Sequence, residues 1–248
     1  MDSEFLISVI TVAYNAEGVI GRTLESLESQ TYKDFEYILI DGKSTDKTVA
    51  KVEEAGIKNK VIVSEPDKGL YDAMNKGLRK ARGKYVLFLN AGDSFHSADT
   101  LSLYAKGAEN GADIIYGDTI IVDKNGEKLG ERHLRAPEFL THNSFASGML
   151  ICHQAFMVRK ELAPEYDLKY RFSADYDWCV KCIKTTEVGG CINLKRVTID
   201  YLSDGLTDKN KYKSLKERFR IMSRHYGYLP TLWRHLGFAF RALKRGKV

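Results

Sequence analysis

The sequence predicts an α/β fold, a mostly parallel sheet with helices on both faces, followed by a basic helical tail. Two observations carry this. Before residue 95, four short apolar runs rich in β-branched and aromatic residues alternate with three segments whose apolar residues recur at helical spacing. Two of those runs end on acids: residues 37–40 lead into Asp41, and residues 85–89 into Asn90-Ala91-Gly92-Asp93. In open α/β sheets ligands bind where the strands end, so carboxylates placed there are aimed at one.

Residues 5–14 read as the first strand, and Val19, Ile20, Leu24 and Leu27 then mark a helix to about residue 30. A second strand covers 35–41, and Ser44, Thr45 and Asp46 supply N-cap oxygens for a helix over 47–55. Residues 61–64 form a third strand, 70–81 a helix closed by Gly83, and 85–89 the fourth strand. The rhythm then changes to a helix at 101–109, a strand at 114–116, and a hairpin pairing 119–123 with 127–132 around Lys124-Asn125-Gly126. A loop to 147, an apolar stretch at 149–158, a helix at 175–184 and a strand at 196–201 follow. From residue 211 the tail reads as helical, with Leu215, Phe219 and Met222 on one side and Leu232, Trp233, Leu236, Phe240 and Leu243 later.

With 248 residues, 44% of them hydrophobic, the chain can bury a large core. The expected division is a domain over 1–208, its halves meeting near residue 95, and a tail over 209–248. In that division, 1–95 binds the nucleotide and 96–208 the acceptor. Cys179 and Cys182 form a CxxC with no second ligand pair, so no zinc site is read. The Met-Asp-Ser-Glu start carries no basic-then-apolar leader, which points to the cytoplasm. From Lys209 onward twelve Lys or Arg face one acid, Glu217; the whole chain carries +5, so residues 1–208 carry −6. Such a tail suits the anionic inner face of the cytoplasmic membrane, where the protein would sit peripherally. A nucleic-acid arm is the competing reading, but no reader motif accompanies the charge and no nucleic-acid partner is expected. The apolar side of the tail also suits a homodimer contact.

Chemistry is expected at three places. A diphosphate ligand needs its charge neutralised, and a divalent metal, Mn²⁺ or Mg²⁺, held by Asp93 with Asn90 nearby would do so. Ala91 and Gly92 would let the backbone approach the ligand. Asp41, with Tyr14 and Asn15 at the end of the neighbouring strand, suits a ribose or base, yet no GxGxxG follows the first strand and a dehydrogenase is disfavoured. Transfer to a hydroxyl needs a base, for which Asp175 and Asp177 are candidates at a helix start. They do not share a face, so one points into the cleft while the other caps the helix or faces solvent, and Asp175 is the expected base. Tyr170 and Arg171 could meet an anionic acceptor.

The segments SVITVAYNAE, YILIDGKSTDKT, SEPDKGLYDAMNKGLRKARGKYVLFLNAGD, CHQAFMVRK and SADYDW occur in that order between residues 5 and 203. Together they resemble the glycosyltransferase family 2 enzymes with the GT-A fold, and among those the bacterial transferases of exopolysaccharide and colanic-acid-type assembly. The resemblance implies inverting transfer of a sugar from a nucleotide-diphosphate donor, a UDP-sugar first, to a saccharide or polyprenol-linked acceptor. By it, Ala13, Tyr14 and Asp41 hold the nucleoside, and Lys68 and Asn75 lie near the donor. Asn90 to Asp93 stands where the family has an Asp-x-Asp metal motif, with its first acid replaced. Asp175 matches the second acid of a Glu-Asp pair whose first member is here Ala174, and His153 matches a histidine near the diphosphate or acceptor. The two replaced acids motivate an alternative: a non-catalytic nucleotide-sugar-binding scaffold.

Overall fold

In the computed structural model residues 4–186, 189–203 and 211–244 are described, with Lys211 and 239–244 as backbone only. The boundary expected at 208/209, the first three residues, and the side chains of Phe240 and Leu243 lie outside the described residues. The predicted rhythm forms: β1 (Phe5–Ala13), α1 (Ile20–Glu28), β2 (Phe35–Asp41), α2 (Thr48–Glu54), β3 (Lys60–Ser64), α3 (Leu70–Lys80) and β4 (Gly83–Phe88). Every residue of β2 and the last seven of β1 are buried, as parallel strands covered by helices on both faces must be. The helices supply matching stripes, Ile20, Leu24 and Leu27 from α1 and Tyr71, Met74 and Leu78 from α3.

These strands lie parallel in the order β3-β2-β1-β4. The chain runs from β1 outward through β2 and β3, then returns to the other side of β1. Crossovers therefore diverge between β1 and β4, and a crevice opens beyond their C-terminal ends. Ala13 and the 90–93 turn sit at that crevice because they follow those two strands.

The second half adds β5 (Ser94–Phe95), α4 (Thr100–Glu109), β6 (Ile114–Val122), β7 (Lys128–Glu131), β8 (Phe156–Arg159), α5 (Ala174–Thr185) and β9 (Cys191–Leu202). The α/β fold is the one expected, but the sheet turns mixed after β4. There β8 inserts antiparallel between β4 and β6, while β9 runs parallel to β6. The two strands expected at 114–116 and 119–123 are one strand, β6, and β9 starts five residues before the expected 196. The Asn-Gly hairpin forms, with Gly126 at φ 86° and the Asp123 carboxylate accepting from the Asn125 and Glu127 amides, both at 2.8 Å.

Gly83 opens β4 rather than closing α3, and the reason is close approach. A Cβ there would stand 2.6 Å from the Ser8 amide nitrogen and 2.8 Å from the Ile7 carbonyl carbon. Buried Glu36 explains the crowding: its carboxylate accepts from the Ser8 hydroxyl (2.7 Å), the Arg82 and Gly83 amides (2.5 and 3.2 Å) and Arg82 Nε (3.0 Å), drawing three strands together. Backbone atoms cannot swing aside, so Gly83→Ala should destabilise by about 1–3 kcal/mol. Gly21 in α1 has nothing within 4 Å of the same position, so Gly21→Ala should stabilise by roughly 1 kcal/mol. Paired thermal melts check both signs.

The tail folds into α6 (Lys211–Tyr226) and α7 (Tyr228–Lys244), joined at Gly227 with φ 89°. α6 packs on α5: Ile221 and Met222 are buried, Ser214 bonds Ser173, and His225 Nε2 lies 2.7 Å from Asp177 Oδ1. α7 keeps Tyr228, Leu229, Leu232, Trp233 and Leu236 exposed. Among the described residues no helix is long and apolar enough to cross a membrane.

Candidate active site

A cleft of about 750 Å³ opens at the β1/β4 switch, within the range of ligand sites. The residues after β1 form one wall. Ala13 ends the strand, Tyr14 stands 67% exposed at the mouth, and Asn15 turns the chain at φ 47°, a left-handed conformation that Asn tolerates. Asn15 is locked there, its amide donating to the Ser44 hydroxyl (2.8 Å) and its side-chain oxygen accepting from the Thr45 amide (2.9 Å).

Asn90, Ala91 and Asp93 form the floor. Asp93 is 4% exposed; its Oδ1 accepts from the Leu202 amide and Oδ2 from Gln154 Nε2, both at 2.9 Å. The two-residue strand β5 brings this about by pairing Ser94 with Asp200, which carries the end of β9 alongside the turn. Burial pushes the Asp93 carboxyl up to about 7, and the Leu202 amide, the Arg22 charge and Gln154 only partly offset it. Next to it, the Asn90 side-chain oxygen is buried with no hydrogen-bond partner. A carboxylate short of positive charge and an orphaned neutral oxygen are the donors a hard divalent cation takes when diphosphate oxygens complete its shell. The residues present therefore fit such an ion. No cluster of three or more acidic, His or Cys ligands exists among the described residues, so the protein alone would hold it through few contacts.

Asp175 enters from the first turn of α5, and its Oδ1 accepts a 3.0 Å hydrogen bond from the Tyr71 hydroxyl. Behind it lies an aromatic block: Tyr166 stacks on Trp178 (5.1 Å between centroids) and on Tyr71 (5.6 Å), with Phe88 and His153 edge-on. This block gives Tyr71 and Asp175 one geometry. His153 lines the cleft and bonds the Tyr166 hydroxyl through Nε2. Burial pushes its imidazole down to about 4 despite the nearby Asp175 charge, so it is neutral and offers a diphosphate no cation.

The cleft thus gathers Ala13, Tyr14, Asn15, Asn90, Ala91, Asp93, His153 and Asp175. Seven other candidates stand elsewhere. Asp41 is buried with both oxygens accepting from Ser44 and Ser64, so it shapes the loop that holds Asn15. Asn75 is buried and clamps the Tyr166 backbone through both amide atoms, at 3.0 and 2.7 Å. Gly92 adopts φ 97°, and a Cβ there would strike Leu202 at 2.7 Å; its size serves packing of the turn. Lys68 is exposed off the cleft, and Arg171 is exposed with its backbone amide on Glu217. Tyr170 is buried under the Lys169 ammonium. Asp177 neither caps the helix nor meets solvent. Hydrogen bonds and ion pairs from His225 and Lys181 outweigh its burial and hold it below the usual carboxylate range.

Sequence reasoning missed Tyr71, Gln154, Arg132 and Arg218, all cleft residues. Gln154 had a signal, since it follows His153 directly, and Tyr71 opens the helix whose sequence was singled out. The two arginines had none: only the folded chain places the end of β7 and the middle of α6 at this cleft.

A family model described as glycosyl transferase family 2 matches residues 8–166. A PGL/p-HBAD biosynthesis glycosyltransferase of Mycobacterium bovis is 36% identical over 185 residues, covering 71% of this chain and 69% of that protein. An Escherichia coli protein, UDP-Glc:alpha-D-GlcNAc-diphosphoundecaprenol beta-1,3-glucosyltransferase WfgD, is 26% identical over 221 residues, or 88% of this chain and 86% of that one. Among solved structures, the mannosyltransferase PcManGT of Pyrobaculum calidifontis, in complex with GDP-Man and Mn²⁺, superposes with a TM-score of 0.64 at 17% identity. That match covers 96% of this chain and 74% of that one. Its likeness is one of fold.

Proposed function

The chain belongs to glycosyl transferase family 2 and is a glycosyltransferase, and from that premise we propose that Asp175 is the base of an inverting transfer from a UDP-sugar to a lipid-diphosphate-linked saccharide. The observation that carries this reading is the convergence of Asp93 and Asp175, from distant segments, on the one cleft at the strand-order switch. The coarse chemistry follows from the family; the residue roles are ours.

The nucleoside lies along Ala13, Tyr14 and Asn15, with its diphosphate toward the 90–93 turn. Asp93 and Asn90 would hold a divalent ion there, which when bound neutralises the diphosphate and eases departure of the leaving group. The acceptor hydroxyl approaches from the Asp175 side. Tyr71 occupies Oδ1, which leaves Oδ2 to take the hydroxyl proton as its oxygen bonds to the anomeric carbon. The bond from that carbon to the diphosphate breaks in the same displacement, so configuration inverts and UDP leaves. Asp41 and Asn75 act through the loop and aromatic block they hold. The E. coli relative is named for a UDP-glucose donor and a diphosphoundecaprenol-linked acceptor, which agrees with this assignment and with a role in bacterial cell-surface polysaccharide synthesis. Release of UDP from UDP-glucose and UDP-N-acetylglucosamine, assayed with polyprenyl diphosphate-linked sugars as acceptors, tests it. Nucleotide binding without turnover on any pair would favour the scaffold reading.

The exposed stripe Tyr228, Leu229, Leu232, Trp233 and Leu236, together with the net +11 charge from Lys209 onward, supports peripheral seating of α7 on the anionic inner face of the cytoplasmic membrane. On this reading the tail is a unit of function that is also packed on the domain through α6. The protein should float with phosphatidylserine vesicles at about 150 mM salt, and the double variant Trp233→Ala, Leu236→Ala should lose most of that binding. Binding to duplex DNA instead would sink the membrane reading. A mass that doubles with concentration and is reset by the double variant would mark the stripe as a homodimer contact.

A further inference from the structure

Two guanidinium groups line the cleft and take no part in the reaction described above. Arg132 follows β7, half-buried, its Nη2 donating to the Met149 carbonyl at 3.1 Å. Arg218 reaches the cleft from α6, well beyond the residues matched by the family model. Its neighbour Glu217 accepts from the backbone amides of Arg171, Phe172 and Ser173 at 2.9, 2.8 and 3.1 Å. A carboxylate at that place caps the start of α5. One turn of α6 is thereby pinned directly before Ala174 and Asp175, and the pin fixes where the Arg218 side chain begins.

The Nε of Arg218 is buried with no hydrogen-bond partner. Among the described residues neither arginine has a carboxylate within ion-pair distance. Buried guanidinium donors are normally satisfied, so an unsatisfied one on a side chain that lines a cleft asks for an acceptor that arrives with the ligand. Arg218 is near enough to Tyr176, the residue after Asp175, for its charge to bear on that phenol, and Arg132 to Cys179, a thiol the Asp175 charge also reaches, and to Cys152, which the Asp93 charge reaches. The nucleoside wall at Ala13 to Asn15 is made by other segments.

We infer that Arg132 and Arg218 form a subsite for the phosphate or diphosphate carried by the acceptor, beside Asp175 and apart from the donor diphosphate at the 90–93 turn. Planar guanidinium forks match phosphate oxygens in pairs, which fixes orientation as well as charge. The subsite orients an acceptor whose reacting hydroxyl lies on the sugar attached directly to the diphosphate. Because Arg218 comes from α6, and α6 continues into the exposed apolar stripe of α7, it also ties acceptor capture to the element nearest a lipid surface. This assignment rests on the proposed donor site with its diphosphate at the 90–93 turn and on Asp175 as the base.

The test is calorimetry on the full chain saturated with UDP and Mg²⁺, titrated with geranyl diphosphate and, separately, inorganic pyrophosphate. The wild type should bind geranyl diphosphate while UDP is bound. Arg218→Gln and Arg132→Gln should each weaken that binding at least tenfold, Arg218→Lys less, with UDP affinity unchanged within twofold. Weakened UDP binding with unchanged geranyl diphosphate binding would assign the arginines to the donor and overturn the proposal. So would a UDP-saturated wild type that takes up neither probe. Failure of the underlying donor reading looks different, as a wild type with no affinity for UDP; the same titrations on nucleotide-free protein then still decide the subsite. Melting curves of the variants accompany the titrations, and Arg132→Gln, on a separate element, carries the comparison if Arg218→Gln fails to fold.

Discussion

Asp175→Asn is expected to lower kcat for sugar transfer by about 10²–10⁴, the contribution of a positioned general base. The substituted side chain keeps an oxygen for the Tyr71 hydroxyl and nearly the same volume, so the aromatic block and the melting temperature should change little. UDP affinity should stay within twofold, because the contacts proposed for the nucleoside and diphosphate lie elsewhere in the cleft. Steady-state rates together with UDP titration separate a lost base from a lost binding site. A tenfold loss of UDP affinity with little loss of kcat would remove Asp175 from the chemistry.

Asp93→Asn should have the second-largest effect, and it has two signatures of opposite sense. The dependence of UDP affinity on Mn²⁺ should shrink by at least tenfold, since the charged donor for the ion is gone. Stability of the ligand-free protein should respond in the other direction. The folded carboxyl titrates at about 7 against 3.8 for the ordinary group, so between those pH values the folded state holds a proton that the unfolded chain has released. Stability of the wild type therefore falls as pH rises through that window, by on the order of 4 kcal/mol, and the loss is complete above pH 7. The variant has no such proton and no such slope. Melts at pH 5 and pH 8 without ligand should show the variant gaining on the wild type at the higher pH. Adding UDP with Mn²⁺ at pH 8 should raise the melting point of the wild type far more than that of the variant. Parallel pH dependence of the two proteins would contradict the buried, undercompensated charge.

Much of the fold was legible because it is written locally. The strands and helices before residue 89, apart from the half-buried edge strand β3, bury continuous or periodic apolar faces, and Asn125-Gly126 fixes its hairpin by turn chemistry alone. The sheet order beyond β4 was not legible, since β8 and β6 pair across the loop that separates them. Asp41 shows the same limit within the site. It ends a buried strand as a ligand-binding acid should, yet Ser44 and Ser64 claim its oxygens, and only the β2–β3 pairing brings Ser64 there. Asn75 sits in the motif expected near the donor, but the backbone of Tyr166, far along the chain, takes both ends of its amide. The position of Asp93 and Asp175 at the cleft was legible because a strand end and a helix start are local signals. Asp177, from the same helix start, was expected at a cap or in solvent, and His225 of the tail draws it inside.

The most direct test of the account is calorimetric titration of UDP with Mn²⁺ into the wild type and Tyr14→Ala. Tyr14 is exposed, at the mouth of the cleft, and its replacement should leave the fold intact. If the cleft at the β1/β4 switch is the donor site, the wild type binds UDP and the variant binds it roughly tenfold more weakly, the loss expected from one base–aromatic contact. Equal affinity in the two proteins, or no binding to the wild type, would contradict the placement of the donor.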